Sequence, residues 1–196
     1  GTLREEGVPL RVLPGADVRL DHDLVERLDN NEICTINDGN RFLLLEFPDA
    51  LHGTEYTRVI SSLKMRGVHP ILSHPERNPF FHDNVEALYD LVHSDVLLQI
   101  TGRSLLGGFG RDIKRFTERL LEHRLVHLLA SDAHAPDVRR PGLRAACERA
   151  GEIVGEQEAR NLVQENPAGV LQGALPEVPL PVPWQTPKRW WWPFRR

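Results

Sequence analysis

Four stretches of the chain place a potential metal ligand where an apolar run gives way. They are Asp17 in VLPGAD, Glu46 in FLLLEF, His74 in ILSHPERN, and Asp132 with His134 in LLASDAH. Carboxylate oxygens mixed with imidazole nitrogens, without thiolate, suit manganese, iron or zinc. A pair or triplet of such ions activates a water and neutralises a phosphate, which is hydrolytic chemistry. Taken singly, each residue is a weak signal. Asp132 reads equally well as a turn cap, and His74 as an ordinary strand-end polar group. Glu46 stands out, because a carboxylate buried inside FLLLEF without a cation would be costly. The ordered set, each piece closing its own apolar run, carries more than any member. Glu76, between His74 and Arg77, reads as a salt-bridging or helix-start charge. The bland alternative for Arg77 is a surface ion pair.

These side chains need strands to hold them. Apolar runs at 9–13, 33–36, 42–47, 70–73, 96–100 and 126–130 read as strands, with Asn37-Asp38-Gly39-Asn40 as a turn between the second and third. Helical spacing covers 23–29, 56–65 (Thr54 as its cap, Gly67 as its stop), a segment capped by Asp83 and carrying Val85, Leu88, Leu91 and Val92, and 112–123. It continues over 141–150, opened by a proline, and over two short segments near 156–164 and 167–172. Strands alternating with helices, the strands short and nearly all apolar, predict an α/β fold with a parallel sheet. A barrel and an open doubly wound sheet both fit. In either, active residues gather at the carboxyl ends of the strands. No GxGxxG or GKS/GKT loop is present, which disfavours the nucleotide-binding versions.

Composition sets the remaining bounds. The 196 residues favour one domain with a sizeable core. The net charge of -4 argues against a nucleic-acid partner. Cys34 and Cys147 match no metal or redox spacing and read as buried free thiols of a reducing, cytoplasmic protein. No apolar run is long enough to span a bilayer, and no secretory signal is visible. The reading divides the chain into a domain over 1–175 and a proline-rich linker with a basic, tryptophan-rich tail over 176–196, neither packing into the core. From Trp184 to Arg196 this tail is expected to add nothing to folding. Trp190, Trp191, Trp192 and Phe194 with Lys188, Arg189, Arg195 and Arg196 suit an anionic membrane surface, as well as they suit a free terminus.

VLPGAD, INDGNRFLLLEFP, ILSHPERN and LLASDAH, in this order and with QITGRSLLGGFG between the last two, resemble the polymerase-and-histidinol-phosphatase family. More narrowly, they resemble its bacterial branch of manganese-dependent protein-tyrosine phosphatases of capsule and exopolysaccharide synthesis. The resemblance spans residues 9–172. It implies a distorted seven-stranded (β/α) barrel holding up to three metal ions, manganese first, with iron or zinc as alternatives. It assigns ligand roles to Glu46, His74, Asp132 and His134. Asp17 stands where the family usually has a glutamate. The resemblance assigns phosphate binding to Arg77 and to a second arginine, Arg139 or Arg140. It implies phosphotyrosine hydrolysis on a bacterial tyrosine kinase, with a small-molecule phosphoesterase or an inactive binding module as the rival readings. Family members open with an HxH strand and a nearby DDG, which do not occur here. The expectation is therefore a barrel incomplete at its N-terminus by about two strands, with open edges and a tendency to associate.

Overall fold

The computed structural model describes residues 5–48, 55–135, 137 and 139–184. Five strands form its sheet: β1 (Asp17–Arg19), β2 (Phe42–Glu46), β3 (His69–Ser73), β4 (Leu97–Thr101) and β5 (Leu128–Ala130). All neighbours pair in parallel, in the order β1-β2-β3-β4-β5. The α/β class and the parallel sheet match the sequence reading. The strictly sequential order removes the doubly wound alternative, which requires a reversal of strand order at a switch point. The sheet is open, with β1 and β5 at its two edges.

The helices among the described residues are α1 (Leu24–Asp29), α2 (Glu55–Met65), α3 (Pro79–Asp83), α4 (Val85–His93), α5 (Gly102–Leu105), α6 (Arg111–Glu122), α7 (Arg144–Val154), α8 (Glu156–Arg160) and α9 (Asn166–Leu171). Parallel neighbours joined in sequence need crossovers of one hand, which put the connecting helices on one face of the sheet. Strand periodicity shows that face directly. Leu43, Leu45, Leu72, Leu98, Ile100 and Leu129 enter the main core with Leu63, Leu88 and Leu120 from the helices. The alternate residues Phe42, Ile71, Leu97 and Leu128 turn the other way, onto Val170 of α9 in a much smaller cluster. Gly67 ends α2 in a left-handed conformation (φ 74°), where a glycine carries no steric penalty. Its N–H donates to the Lys64 carbonyl at 2.9 Å, and the Val68 N–H to Leu63 at 3.1 Å.

Several local expectations are corrected. Residues 9–13 form no strand; Leu10 and Val12 are 59% and 71% exposed, and β1 begins only at Asp17. Residues 33–36 are not a strand either. Ile33 is buried, but the chain then closes into a 3-10 turn at Ile36–Asp38, with Asn37 in the left-handed region. The helix carrying Val85 starts from Asn84, not Asp83, and Asp83 ends the preceding α3. The 141–150 helix starts later, at Arg144. Both cysteines are free but half-buried, not buried.

The linker also departs from expectation. The Val182 N–H donates to the His123 carbonyl at 2.9 Å, and the Arg119 guanidinium lies 3.8 Å above the Trp184 ring. Trp184 therefore packs on the core against α6. Thr54, the expected cap of α2, and the tail beyond Trp184, with its expected membrane contact, lie outside the described residues. No helix among the described residues is long and apolar enough to cross a membrane.

Candidate metal centre

β2 ends on Glu46, and β3 ends one residue before His74. Their side chains meet Asp17, which comes from the start of β1 and not from a strand end. The His74 Nε2 lies 3.6 Å from Asp17 Oδ2 and 3.6 Å from Glu46 Oε1. One ligand atom from each of the three falls within 4.8 Å of the other two. The Ser73 hydroxyl donates to Asp17 Oδ1 at 2.9 Å and so fixes the short carboxylate from two strands away. Hydrogen bonding of this kind orients a ligand and holds its charge. Two carboxylate oxygens and one imidazole nitrogen, converging on one point, fit a manganese-, iron- or zinc-type ion. Glu46 is not buried as expected: its side chain is 46% exposed and faces the cleft, so the cost of a buried charge does not arise.

Asp132 and His134 stand across the same cleft. They are not part of the three-residue cluster. Asp132 instead receives two guanidinium groups, from Arg77 at 3.2 Å and from Arg139. His134 turns back on the same loop, its Nδ1 2.9 Å from the Asp132 carbonyl oxygen. Both His74 (φ 37°) and Asp132 (φ 50°) occupy the left-handed region. Non-glycine residues held there carry strain of about 1–3 kcal/mol and concentrate at functional sites. Here the left-handed turn follows directly on β3 and comes just beyond β5, and it marks both walls of one cleft.

That cleft is about 540 Å³, and Asp17, Glu46, His74, Arg77, Asp132, His134 and Arg139 all line it. Arg140 does not. It lines a neighbouring cavity, so geometry favours Arg139 for the second arginine of the cleft.

Four supporting roles, those of Ser73, Glu76, Asn78 and Phe109, escaped the sequence reading. Asn78 caps α3, accepting the Phe80 N–H at 3.0 Å, and donates from Nδ2 to the Phe47 carbonyl at 3.1 Å. Asn followed by Pro at a helix start is a capping signal, so this one was findable. Glu76 does lie at a helix start, in the 3-10 turn Pro75–Arg77, but it is fully buried and joins no ion pair among the described residues. It accepts the Thr101 N–H at 3.0 Å and the Thr101 hydroxyl at 3.1 Å. Burial pushes its carboxyl above the usual range. Phe109 backs Arg77, whose guanidinium lies 5.2 Å from the ring centre. Ser73, Glu76 and Phe109 act through long-range contacts that no local pattern announces.

Residues 1–172 match the family model described as "Capsular polysaccharide synthesis, CpsB/CapC". The chain belongs to the CpsB/CapC family. Within it, the chain is 38% identical over 133 residues to the tyrosine-protein phosphatase YwqE of Bacillus subtilis, covering 67% of this chain and 52% of YwqE. It is 36% identical over 126 residues to CapC of Staphylococcus aureus, covering 64% of this chain and 49% of CapC. Against the tyrosine-protein phosphatase CpsB of Streptococcus pneumoniae it is 29% identical over 180 residues, covering 88% and 72%. The chain thus spans about half the length of the first two curated relatives it matches. A chain from the crystal structures of YwqE and CpsB, described as unique metal-dependent tyrosine phosphatases, superposes with a TM-score of 0.87 at 32% identity. That match covers 94% of this chain and 74% of the other.

Proposed function

We propose that this CpsB/CapC chain carries a manganese-dependent phosphatase site for phosphotyrosine on a protein, its substrate being a bacterial tyrosine kinase of capsule or exopolysaccharide synthesis. The observation that carries the reading is the division of one cleft into two walls. Asp17, Glu46 and His74 form an anionic donor set on one side. Arg77 and Arg139 converge on Asp132 on the other. With a cation held at the first wall, a phosphate would span the two, its oxygens on the other side taken by guanidinium forks through paired hydrogen bonds.

On this reading Asp17, Glu46 and His74 hold a metal, and Asp132 and His134 add ligands from the opposite wall. When bound, the metal supplies Lewis acidity, which lowers the pKa of water and offsets phosphate charge. Arg77 and Arg139 orient the phosphoryl group and stabilise charge that builds on its oxygens. Ser73 keeps the Asp17 carboxylate aimed. The tyrosine oxygen is the leaving group. Neither cysteine lines the cleft, so no phospho-cysteine intermediate is invoked. In the same reading the open sheet is the greater part of a distorted barrel, with Phe42, Ile71, Leu97 and Leu128 on its inner surface, and the phosphatase unit covers residues 1–175.

Calorimetric titration with manganese, beside hydrolysis of p-nitrophenyl phosphate, tests this. His74→Ala should weaken manganese binding at least about tenfold, since even outer residues of metal sites matter that much, and should abolish turnover. A variant that binds and hydrolyses like its parent would remove the site assignment.

A further inference from the structure

A second cavity, of about 290 Å³, adjoins the cleft. Arg139 lines both. Arg103 and Arg140 complete its charged lining, and no carboxylate of the described residues does so. In a chain of net charge -4, three guanidinium groups line one small cavity, and one of them, Arg139, also reaches Asp132 in the cleft. The backbone is shaped for it. A Cβ on Gly108 would fall 2.4 Å from Arg103 Cγ, so only glycine lets the arginine stem cross the loop there. Phe109, the next residue, couples the two cavities. Its ring lies 5.3 Å from the Arg103 guanidinium and 5.2 Å from that of Arg77 in the cleft. Leu106, 50% exposed, adds an apolar rim.

We propose that this cavity is a substrate subsite that takes a carboxylate side chain flanking the phosphotyrosine of the polypeptide held in the cleft. The proposal rests on the phosphatase reading for what occupies the cleft. Guanidinium groups match a carboxylate in planar, two-pronged geometry. A polypeptide entering the cleft meets this cavity at Arg139, so a residue close to the phosphotyrosine in sequence is the one placed there. Exposed pairs are individually modest and screened by salt, so the gain is selectivity and not bulk affinity.

Fluorescence anisotropy with two labelled peptides tests the subsite. Each carries a non-hydrolysable difluoromethylphosphonate in place of phosphotyrosine. One is flanked by Asp and Glu, the other by Asn and Gln. The acidic peptide should bind about tenfold tighter at low salt, and added salt should shrink the difference. The Arg103→Gln/Arg140→Gln double variant should lose the difference while binding the neutral peptide as its parent does. Arg140→Gln alone, an exposed change that spares the fold, should lose part of it. Equal affinities, or an advantage that the double variant keeps, would overturn the subsite. Hydrolysis of p-nitrophenyl phosphate is measured in parallel. If that hydrolysis is absent while the acidic preference holds, the phosphatase reading falls and the carboxylate subsite stands.

Discussion

At the residue scale, the loop from His74 to Asn78 explains why a candidate metal ligand and an arginine sit so close in sequence. His74 faces the acidic wall, Arg77 the opposite one, and Glu76 between them points inward to Thr101. The buried carboxyl thus ties the loop to the end of β4, 25 residues away. Glu76→Ala should leave the Thr101 N–H buried without an acceptor and cost about 1–3 kcal/mol. Glu76→Gln keeps the accepting carbonyl and should lose clearly less. Urea unfolding of both variants decides it; two midpoints equal to the parent's would show that the Thr101 contacts contribute nothing. Of the candidate trio, Glu46 and His74 were legible because each follows an apolar strand with a polar residue, whereas Asp17 opens β1 and the strand expected before it does not form. The buried state of Glu76 was not legible, because its partner is remote and its neighbours in sequence are charged. Glu46 shows the reverse case: it joins the candidate cluster, but the argument from burial fails, since the carboxylate is half exposed.

At the element scale, β2, β3 and β4 were readable because strands buried on both faces are nearly all apolar. Residues 9–13 show the same apolar enrichment, yet no strand forms, since a strand is completed by a hydrogen-bonding partner that local sequence does not encode. β5 shows what holds a short parallel strand in place. His127, just before it, is 2% exposed. Its Nδ1 accepts the Leu98 N–H at 2.9 Å, its own N–H donates to the Leu98 carbonyl at 2.9 Å, and Asn166 donates to its carbonyl at 2.7 Å. Burial pushes its imidazole from 6.5 down to about 4. The unfolded chain therefore takes up a proton that the folded one refuses, and stability falls as pH drops. The contribution is fully present above about pH 6.5 and is lost toward pH 4, by about 3 kcal/mol over the whole window. His127→Asn offers an acceptor in the place of Nδ1 and cannot titrate. Its stability should change less between about pH 7 and about pH 5 than the parent's, measured by urea unfolding at each pH. Identical pH dependence in the two proteins would show that His127 is not the group responsible.

At the scale of the whole molecule, one face of the sheet carries nearly all the helix packing, and the candidate cleft opens by the ends of β2, β3 and β5. That much follows from the strand-helix alternation read in the sequence. What the sequence did not reveal is how the domain closes beyond α9. Proline-rich composition predicted a detached linker, because such segments make few backbone hydrogen bonds. Instead the chain returns along α6. Tyr89 donates its hydroxyl to the Val182 carbonyl, and the Val182 N–H reaches His123, which ends α6. The Trp184 ring then lies with its centre 4.5 Å from the His123 ring and 6.0 Å from that of Phe116, under the Arg119 guanidinium. Composition registers the prolines but not this surface, since Tyr89, Phe116, Arg119 and His123 come from two helices far upstream. Burying part of an indole and stacking a guanidinium on it should together contribute about 1–3 kcal/mol. A chain ending after Trp184 should therefore unfold at a higher urea concentration than one ending after Leu175. Trp184→Ala in the full chain should account for most of that difference. If the two shortened chains unfold together, or Trp184→Ala leaves the midpoint unmoved, the segment merely lies on the surface and the domain's stability ends with α9.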